Sequence, residues 1–421
     1  MNAFEEQLLD AKYYASFGYL AGYWPDDRQG VLPWLLDLRE LVHRQRHKEP
    51  DRLMAPAVAS LAELFDRDGV VRMYVERMIH EVPKTHKTVD DLHDLIAHLD
   101  HIVRTAPEWE NIPSKRNFFP MSMLFTYMMM TEAGEAAFRN VAFNDAIREI
   151  LQAWCTFLDS PDSRYVLNTG KHGWLSPEAY EYNKLYEFVI PDRNAKYWGW
   201  PSFNAFFHRE IKPSERPIAD PDDPKIIVSP NDGSVYRIAR GVKAQDQFWL
   251  KSQPYSLRDM LAGYDVERFE NGDVFQSYLS GADYHRWHAP VTGVVEHAEV
   301  IDGLMFSNLA SQGNDIKGIG SQGYYTAVNT RGLIIIKADD PAIGTVCVIP
   351  VGITEISSIT IEVDRGERVT KGQEIGFFSY GGSSLAMVFQ PDAVKFYSVI
   401  APYTPDQVVP IQVNCQIATA N

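Results

Sequence analysis

Across residues 1 to about 190, apolar side chains recur at three-to-four spacing. LPWLLDLRELV (32–42), VRMYVERMI (71–79) and VDDLHDLIAHLDHIV (89–103) each gather their apolar residues on one side of a 3.6-residue turn. The pattern predicts a predominantly helical N-terminal domain over 1–190. Prolines at 50, 56, 83, 107, 113 and 120 predict helix starts or stops, because the ring removes an amide donor and fixes φ. After the short amphipathic stretch WPSFNAFFHREIKPSERPI (200–218) the period changes. KIIVSP, GVVEHAEV, GLIIIKA, GTVCVIPVG and SSITIEV are β-branched runs separated by Gly, Asp and Asn, which is the strand-and-turn pattern. Helices first and strands second imply segregated parts: an α+β fold with a helical domain (1–190) and a β-rich, sandwich-like domain (191–421), the change falling near 190–220.

Within the second half, VDRGERVTKGQEIGFF (363–378) has glycines at regular intervals and reads as hairpins of a small β-sandwich. Lys371 lacks the acidic or methionine neighbour of a lipoyl or biotinyl attachment lysine, so it reads as a surface hairpin residue.

Composition narrows the class. The 421 residues are 45% hydrophobic and 23% charged, which is the profile of a globular protein. A formal charge of −16 works against a nucleic-acid partner and against docking on anionic lipid. Cys155, Cys347 and Cys415 are too few and scattered for a disulfide framework or a CxxC metal site; buried thiols in a reducing cytoplasm are the expectation. The start, MNAFEEQLLDAKYYASFGYL, has early acids and no basic region before its apolar residues, unlike a signal or transit peptide. The nearest approach to a membrane span is MSMLFTYMMM (121–130), well short of the roughly 18 apolar residues a spanning helix needs. A cytoplasmic protein without a stable membrane anchor is expected.

Several histidines have spacing that permits a metal. His43 and His47 lie four apart, and His93, His98 and His101 share another helix, but no HExxH pattern accompanies them. They read as solvated or capping, and no metal is expected. ADYHRWHAP (282–290) differs, because His285 and His288 flank Arg286 and Trp287 in strand-like surroundings. Residues three apart on a strand face opposite sides, so the two rings suit two different steps or surfaces. VSPNDGSVY (228–236) supplies Asp232, with a type I′ hairpin turn as the plainer alternative. SYGGSSLAMVF (379–389) offers either a tight turn or a nucleophile on a strained backbone. Serine, histidine and aspartate on separate segments are the parts of a nucleophile, base and orienter, although the GxSxG elbow of the usual hydrolases is missing.

Together these segments resemble the phosphatidylserine decarboxylase family. GGSS (381–384) stands where that family has its Gly-Ser-Thr or Gly-Ser-Ser cleavage site; DYHRWHAP matches its two-histidine segment, and Pro230, Asp232 and Gly233 match its PxDG segment. Residues 202–218 match its SFxxFFxRxxKPxxRPI segment, with His208 for the usual Thr or Asn and Glu210 for a basic residue. The resemblance spans roughly 195–405. It implies self-cleavage between Gly382 and Ser383, leaving a pyruvoyl cofactor on residues 383–421, with the two chains remaining associated. It further implies His288 as the base of that step, Asp232 as its orienting partner, and His285 as the group that assists decarboxylation or reprotonation. The pyruvoyl ketone would then condense with a substrate amine and accept the electrons left by CO2.

GWL (173–175), an aromatic-Gly approach to the SFxxFF segment, and YHRWHAP are similar to the pyruvoyl-dependent aromatic amino-acid decarboxylases, including fungal tryptophan decarboxylases. The leading expectation is therefore decarboxylation of an L-amino acid, tryptophan or another aromatic one. A phosphatidylserine decarboxylase is the alternative, and a non-enzymatic β-sandwich binding module is the third.

Overall fold

The structure is a computed structural model that describes residues 31–111, 119–129, 131–245, 255–307, 321–355, 358–380, 382–402 and 407–421. The chain divides into two compact units. The first runs to Asn183 and adds Ile190–Phe206 and a stretch from Leu304; the second comprises Lys184–Val189, Phe207–Gly303 and Ser321–Asn421.

The first unit contains α1 (Leu32–Lys48), α2 (Pro56–Arg67), α3 (Gly69–Glu81), α4 (Leu92–Ile102), α5 (Pro120–Met129), α6 (Glu132–Arg139) and α7 (Val141–Asp159). Side-chain caps begin several of them. Asp68 accepts from the Val70 and Val71 amides, Asp91 from Asp94, Thr131 from Gly134 and Asn140 from Phe143; a cap of this kind contributes about 1 kcal/mol. Pro56 and Pro120 stand at helix starts as the sequence predicts. The run at 121–129 is buried throughout as α5, and among the described residues no helix is long and apolar enough to cross a membrane. Phe125 packs with its ring centroid 5.1 Å from Phe138 and 5.1 Å from Phe306. Phe306 comes from the strand-rich half of the sequence, as does Met305, whose amide donates to Asn144 Oδ1 at 3.1 Å. The two halves of the chain are thus interleaved in a way that the apolar pattern does not signal.

The second unit carries three antiparallel sheets. The largest orders β13 (Pro410–Ile411), β2 (Gly233–Ala239), β3 (Asp273–Leu279), β11 (Gly382–Phe389), β7 (Thr345–Ile353), β6 (Arg331–Ala338), β5 (Gly293–Ile301) and β9 (Arg368–Val369). A second sheet orders β1 (Ile226–Val228), β14 (Gln416–Ala420) and β12 (Val394–Tyr397). The third orders β4 (Arg286–His288), β10 (Glu374–Phe378) and β8 (Ile359–Ile361). Strands β7 and β11 are buried along nearly their whole length, which explains runs that are apolar without alternation. The α+β class holds.

Two local expectations do not. Residues 363–378 form no hairpin with each other, since β9 joins β5 while β10 joins β4 and β8. Lys371 between them is only 6% exposed, and its ammonium donates to the carbonyls of Asp220, Asp223 and Ile226 at 2.6, 2.8 and 3.3 Å. An amine held by three carbonyls pins the 220–226 loop. Asp232 likewise lies in a bend rather than a hairpin turn, because β1 pairs with β14 and β2 with β3.

Candidate active site

Strand β11 is hydrogen-bonded on both sides, placing Ser383 opposite Leu279 of β3 and Gly352 of β7, and Ser384 opposite Tyr278 and Val351. Neighbours on a strand face opposite sides, and the two hydroxyls meet different surroundings. Ser384 Oγ donates to the Ser277 carbonyl at 2.7 Å and accepts from Gln276 Nε2 at 2.8 Å. Gln276 is itself fixed by the Tyr255 hydroxyl at 2.8 Å. Ser383 is 0% exposed and its Oγ has no hydrogen-bond partner among the described residues. A buried hydroxyl left unpaired costs about 1–3 kcal/mol, and such a group in a native fold points to a use.

His285 repeats this condition. It is fully buried, and neither ring nitrogen has a hydrogen-bond partner among the described residues. Its ring centroid lies 4.1 Å from that of Phe207, whose ring is 5.1 Å from Tyr380, three residues before Ser383. Burial pushes the His285 pKa down to about 3, with the Arg209 guanidinium adding to the effect. The ring is therefore neutral near pH 7. Burial also lifts the neighbouring Asp283 carboxyl to about 6.

His288 is held at both nitrogens. Nδ1 is 2.7 Å from the Gly372 carbonyl and Nε2 is 2.9 Å from the Tyr284 hydroxyl. A carbonyl only accepts, so Nδ1 carries the proton. Burial lowers the His288 pKa, and in the neutral ring the Nε2 lone pair then takes the tyrosine O–H. The expected orienter is elsewhere. Both Asp232 oxygens face Arg216, at 3.0 and 3.2 Å from Nε and 2.6 Å from an outer nitrogen, and Oδ1 accepts the Val413 amide at 2.7 Å. Arg216 also pairs with Glu187 at 2.9 Å. Gly372, rather than Asp232, orients the His288 imidazole by hydrogen bond; the Asp232 charge reaches it only through space, where it favours the protonated ring.

Tyr284 and Arg216, which hydrogen-bond His288 and Asp232, were passed over in the sequence reading although both stand inside the motifs quoted above. Phe207 likewise stands inside the quoted SFxxFF segment, whereas Gly372 and Glu187 carried no separate signal, because their contacts join chain segments far apart in sequence.

Of the histidines on α1 and α4, His47 and His93 are exposed, as expected, and His43 and His101 are half-buried, but His98 is not solvated. His98 is 1% exposed and donates from Nδ1 to the Asp94 carbonyl at 2.7 Å. His43 Nε2 meets Asp94 Oδ1 at 2.9 Å, and His101 Nδ1 donates to Gln45 Oε1 at 2.9 Å. These contacts clamp α1 to α4. His43, Asp90 and Asp94 bring ligand atoms within 4.8 Å of one another, but Arg39 already meets Asp90 at 2.5 Å. Cys347 is buried and its thiol pKa is pushed up by burial, while Cys155 and Cys415 are half-buried; no disulfide joins them.

Two family models match this chain, both described as phosphatidylserine decarboxylase, over residues 203–404 and 55–182. The second covers most of the helical half. Decarboxylase iboD of Amanita muscaria is 39% identical over 295 residues, covering 65% of this chain and 84% of that protein. L-tryptophan decarboxylase of Psilocybe cubensis is 28% identical over 365 residues, covering 81% of each. A phosphatidylserine decarboxylase proenzyme of Chlamydia felis is 32% identical over 232 residues, covering 53% of this chain and 74% of that one.

Proposed function

Since the chain belongs to the phosphatidylserine decarboxylase family and is a decarboxylase, we propose that it makes a pyruvoyl cofactor from Ser383 and acts on an L-amino acid, tryptophan or another aromatic one. One observation carries the first part: of two adjacent buried serines, Ser384 has its hydroxyl fully engaged, whereas that of Ser383 has no partner among the described residues.

The chemistry follows from this chain's own groups. Ser383 Oγ gives up its proton and attacks the Gly382 carbonyl carbon, so that the peptide C–N bond breaks and an ester forms. Loss of the Ser383 Cα proton breaks the Cβ–O bond, releasing the upstream chain as a Gly382 carboxylate. The dehydroalanine left at 383 takes up water and loses ammonia, leaving the pyruvoyl cap. His288 is the base for the first transfer, with Nδ1–H fixed on Gly372 and Nε2 freed when Tyr284 withdraws its hydroxyl. Held at position 383, such a group would supply a ketone able to take a substrate amine and to act as the electron sink for loss of CO2. His285 has no hydrogen-bond partner at either ring nitrogen among the described residues. A substrate carboxylate arriving beside it raises its low pKa, so the ring gains a proton with the substrate and returns it to the product carbon.

Cleavage leaves the two chains interlocked. Residues 383–421 hold β11 between β3 and β7, β12 and β14 beside β1, and β13 beside β2, while Val413 remains on Asp232. The tryptophan decarboxylases of Psilocybe among the relatives support the amino-acid reading, as does a charge of −16, which disfavours an anionic lipid surface. Intact mass tests the cofactor: two chains are expected, the smaller beginning at 383 and blocked to Edman chemistry. An active protein that stays a single chain overturns it. CO2 release from L-tryptophan, L-tyrosine, L-phenylalanine and phosphatidylserine vesicles tests the substrate, and turnover of vesicles alone rejects the amino-acid reading.

A further inference from the structure

Ser383 and His285 are each 0% exposed, so the uncut chain leaves a substrate no path to either. A substrate ring has to enter where something else now lies. Phe207 forms the wall beside His285, with ring centroids 4.1 Å apart, and it also carries the ring of Tyr380, 5.1 Å away and turned 73° to it. Phe207 and Tyr380 are both buried. Aromatic rings prefer such edge-to-face contacts, and the ring of an aromatic ligand would pack against Phe207 in the same way.

Tyr380 differs from Phe207 in how the chain holds it. It stands two residues before Gly382, which self-cleavage turns into a chain end. In the uncut chain it is tied on both sides: the Ser379 amide donates to the Ser358 carbonyl at 3.0 Å, and Gly382 pairs with Ile353 of β7 and continues into β11. The cut ends that continuation and creates a carboxylate at Gly382. Ile353 beside it and Leu279 beside Ser383 are buried and apolar. An ionised carboxylate is costly to keep in such surroundings, so the new end is drawn toward water. Strand β10 stays in place through its pairing with β4 and β8, and Tyr380 lies between that anchor and the new end.

We propose that in the uncut chain Tyr380 fills the place against Phe207 that the substrate's aromatic ring takes in the cut enzyme, and that cleavage opens this place by releasing Tyr380. The inference rests on the cleavage and aromatic-substrate reading above and names the part of the site that selects an aromatic side chain. The uncut chain is then closed to amines until the group that reacts with them exists.

The test reads amide exchange and the binding of phenol, the group that Tyr380→Ala removes. Exchange at Ser379 and Tyr380 is expected to be at least tenfold faster in cut wild-type protein than in uncut Ser383→Ala, with β10 equally protected in both. Calorimetric titration is expected to show saturable phenol binding to cut wild-type protein and at least tenfold weaker binding to uncut Ser383→Ala. Adding Tyr380→Ala to Ser383→Ala is expected to restore binding without cleavage, since a buried apolar cavity takes a small aromatic ligand. A further Phe207→Leu is expected to weaken it at least tenfold. Equal exchange or equal phenol binding in cut and uncut protein overturns the proposal, as does binding that Tyr380→Ala fails to restore or Phe207→Leu leaves unchanged. The exchange comparison needs no substitution at 380 or 207, so it decides the matter if those variants fail to fold. Intact mass of the same wild-type sample separates the two readings: protein that cuts and still protects Tyr380 overturns this inference alone, whereas protein that stays one chain overturns the proposed cofactor and this inference with it.

Discussion

His101 in the helical unit is half-buried and His285 in the strand-rich unit fully buried, and burial lowers both pKa values, to about 4 and about 3. Their hydrogen bonds differ. His101 meets Gln45, and its neighbours His43 and His98 meet Asp94, whereas among the described residues His285 has two unpartnered nitrogens and Ser383 of β11 an unpartnered hydroxyl. A perturbed titration therefore marks burial in both units. Among the described residues His285 lacks a partner at both ring nitrogens, whereas His98, which braces the helices, lacks one at Nε2 alone.

The sharpest way to break this comparison is to exchange the two serines' roles. Ser383→Ala is expected to abolish chain cleavage, while Ser384→Ala still cleaves and loses about 1–3 kcal/mol of stability through its stranded partners. Mass spectrometry and denaturant unfolding read the two outcomes, and cleavage lost in Ser384→Ala alone would reverse the assignment. Next, His288→Ala is expected to stay uncut, and His285→Ala to cleave but turn over about 10²–10⁴-fold more slowly. The opposite result exchanges the two histidines.

Asp232→Asn leaves Arg216 with Glu187 as its one remaining carboxylate partner among the described residues, and breaking a buried pair in this way costs about 3–5 kcal/mol. Urea unfolding of the uncut Ser383→Ala background measures it without interference from processing. A smaller effect is expected from pH. His101 and His208 have folded pKa values near 4 and His285 near 3, whereas an unfolded histidine takes up a proton at about 6.5. Below that value the unfolded chain binds more protons, so stability falls as pH drops toward the folded values and is level above neutrality. The melting temperature is expected to be similar at pH 7 and 8 and lower by roughly 5 °C or more at pH 5. Smallest of all, His43→Ala is expected to cost about 1 kcal/mol by removing its Asp94 hydrogen bond, with cleavage and turnover unchanged; loss of either would show that the helical histidines are not merely braces.

Much of this was open to a reader of the chain. The three-to-four spacing of 71–79 and 89–103 marks α3 and α4, because one face of a helix must be apolar to pack. The β-branched runs at 332–338 and 345–353 mark the central strands β6 and β7 for the equivalent reason. Ser383, His285, His288 and Asp232 all lie in short local motifs, and a motif survives in the order of residues. Local pattern, backbone preference and motif identity are carried by neighbours in sequence. The sequence alone therefore determined the α+β class and the candidate residues. Tertiary structure decided the rest: Phe306 entering the helical core, Lys371 caged by carbonyls of 220–226, Asp232 bonded to Arg216 instead of His288, and Ser383 free where Ser384 is not. Each of these depends on which distant segment supplies or withholds a partner, and hydrogen-bond satisfaction and burial are properties of the packed chain that neighbouring residues do not encode.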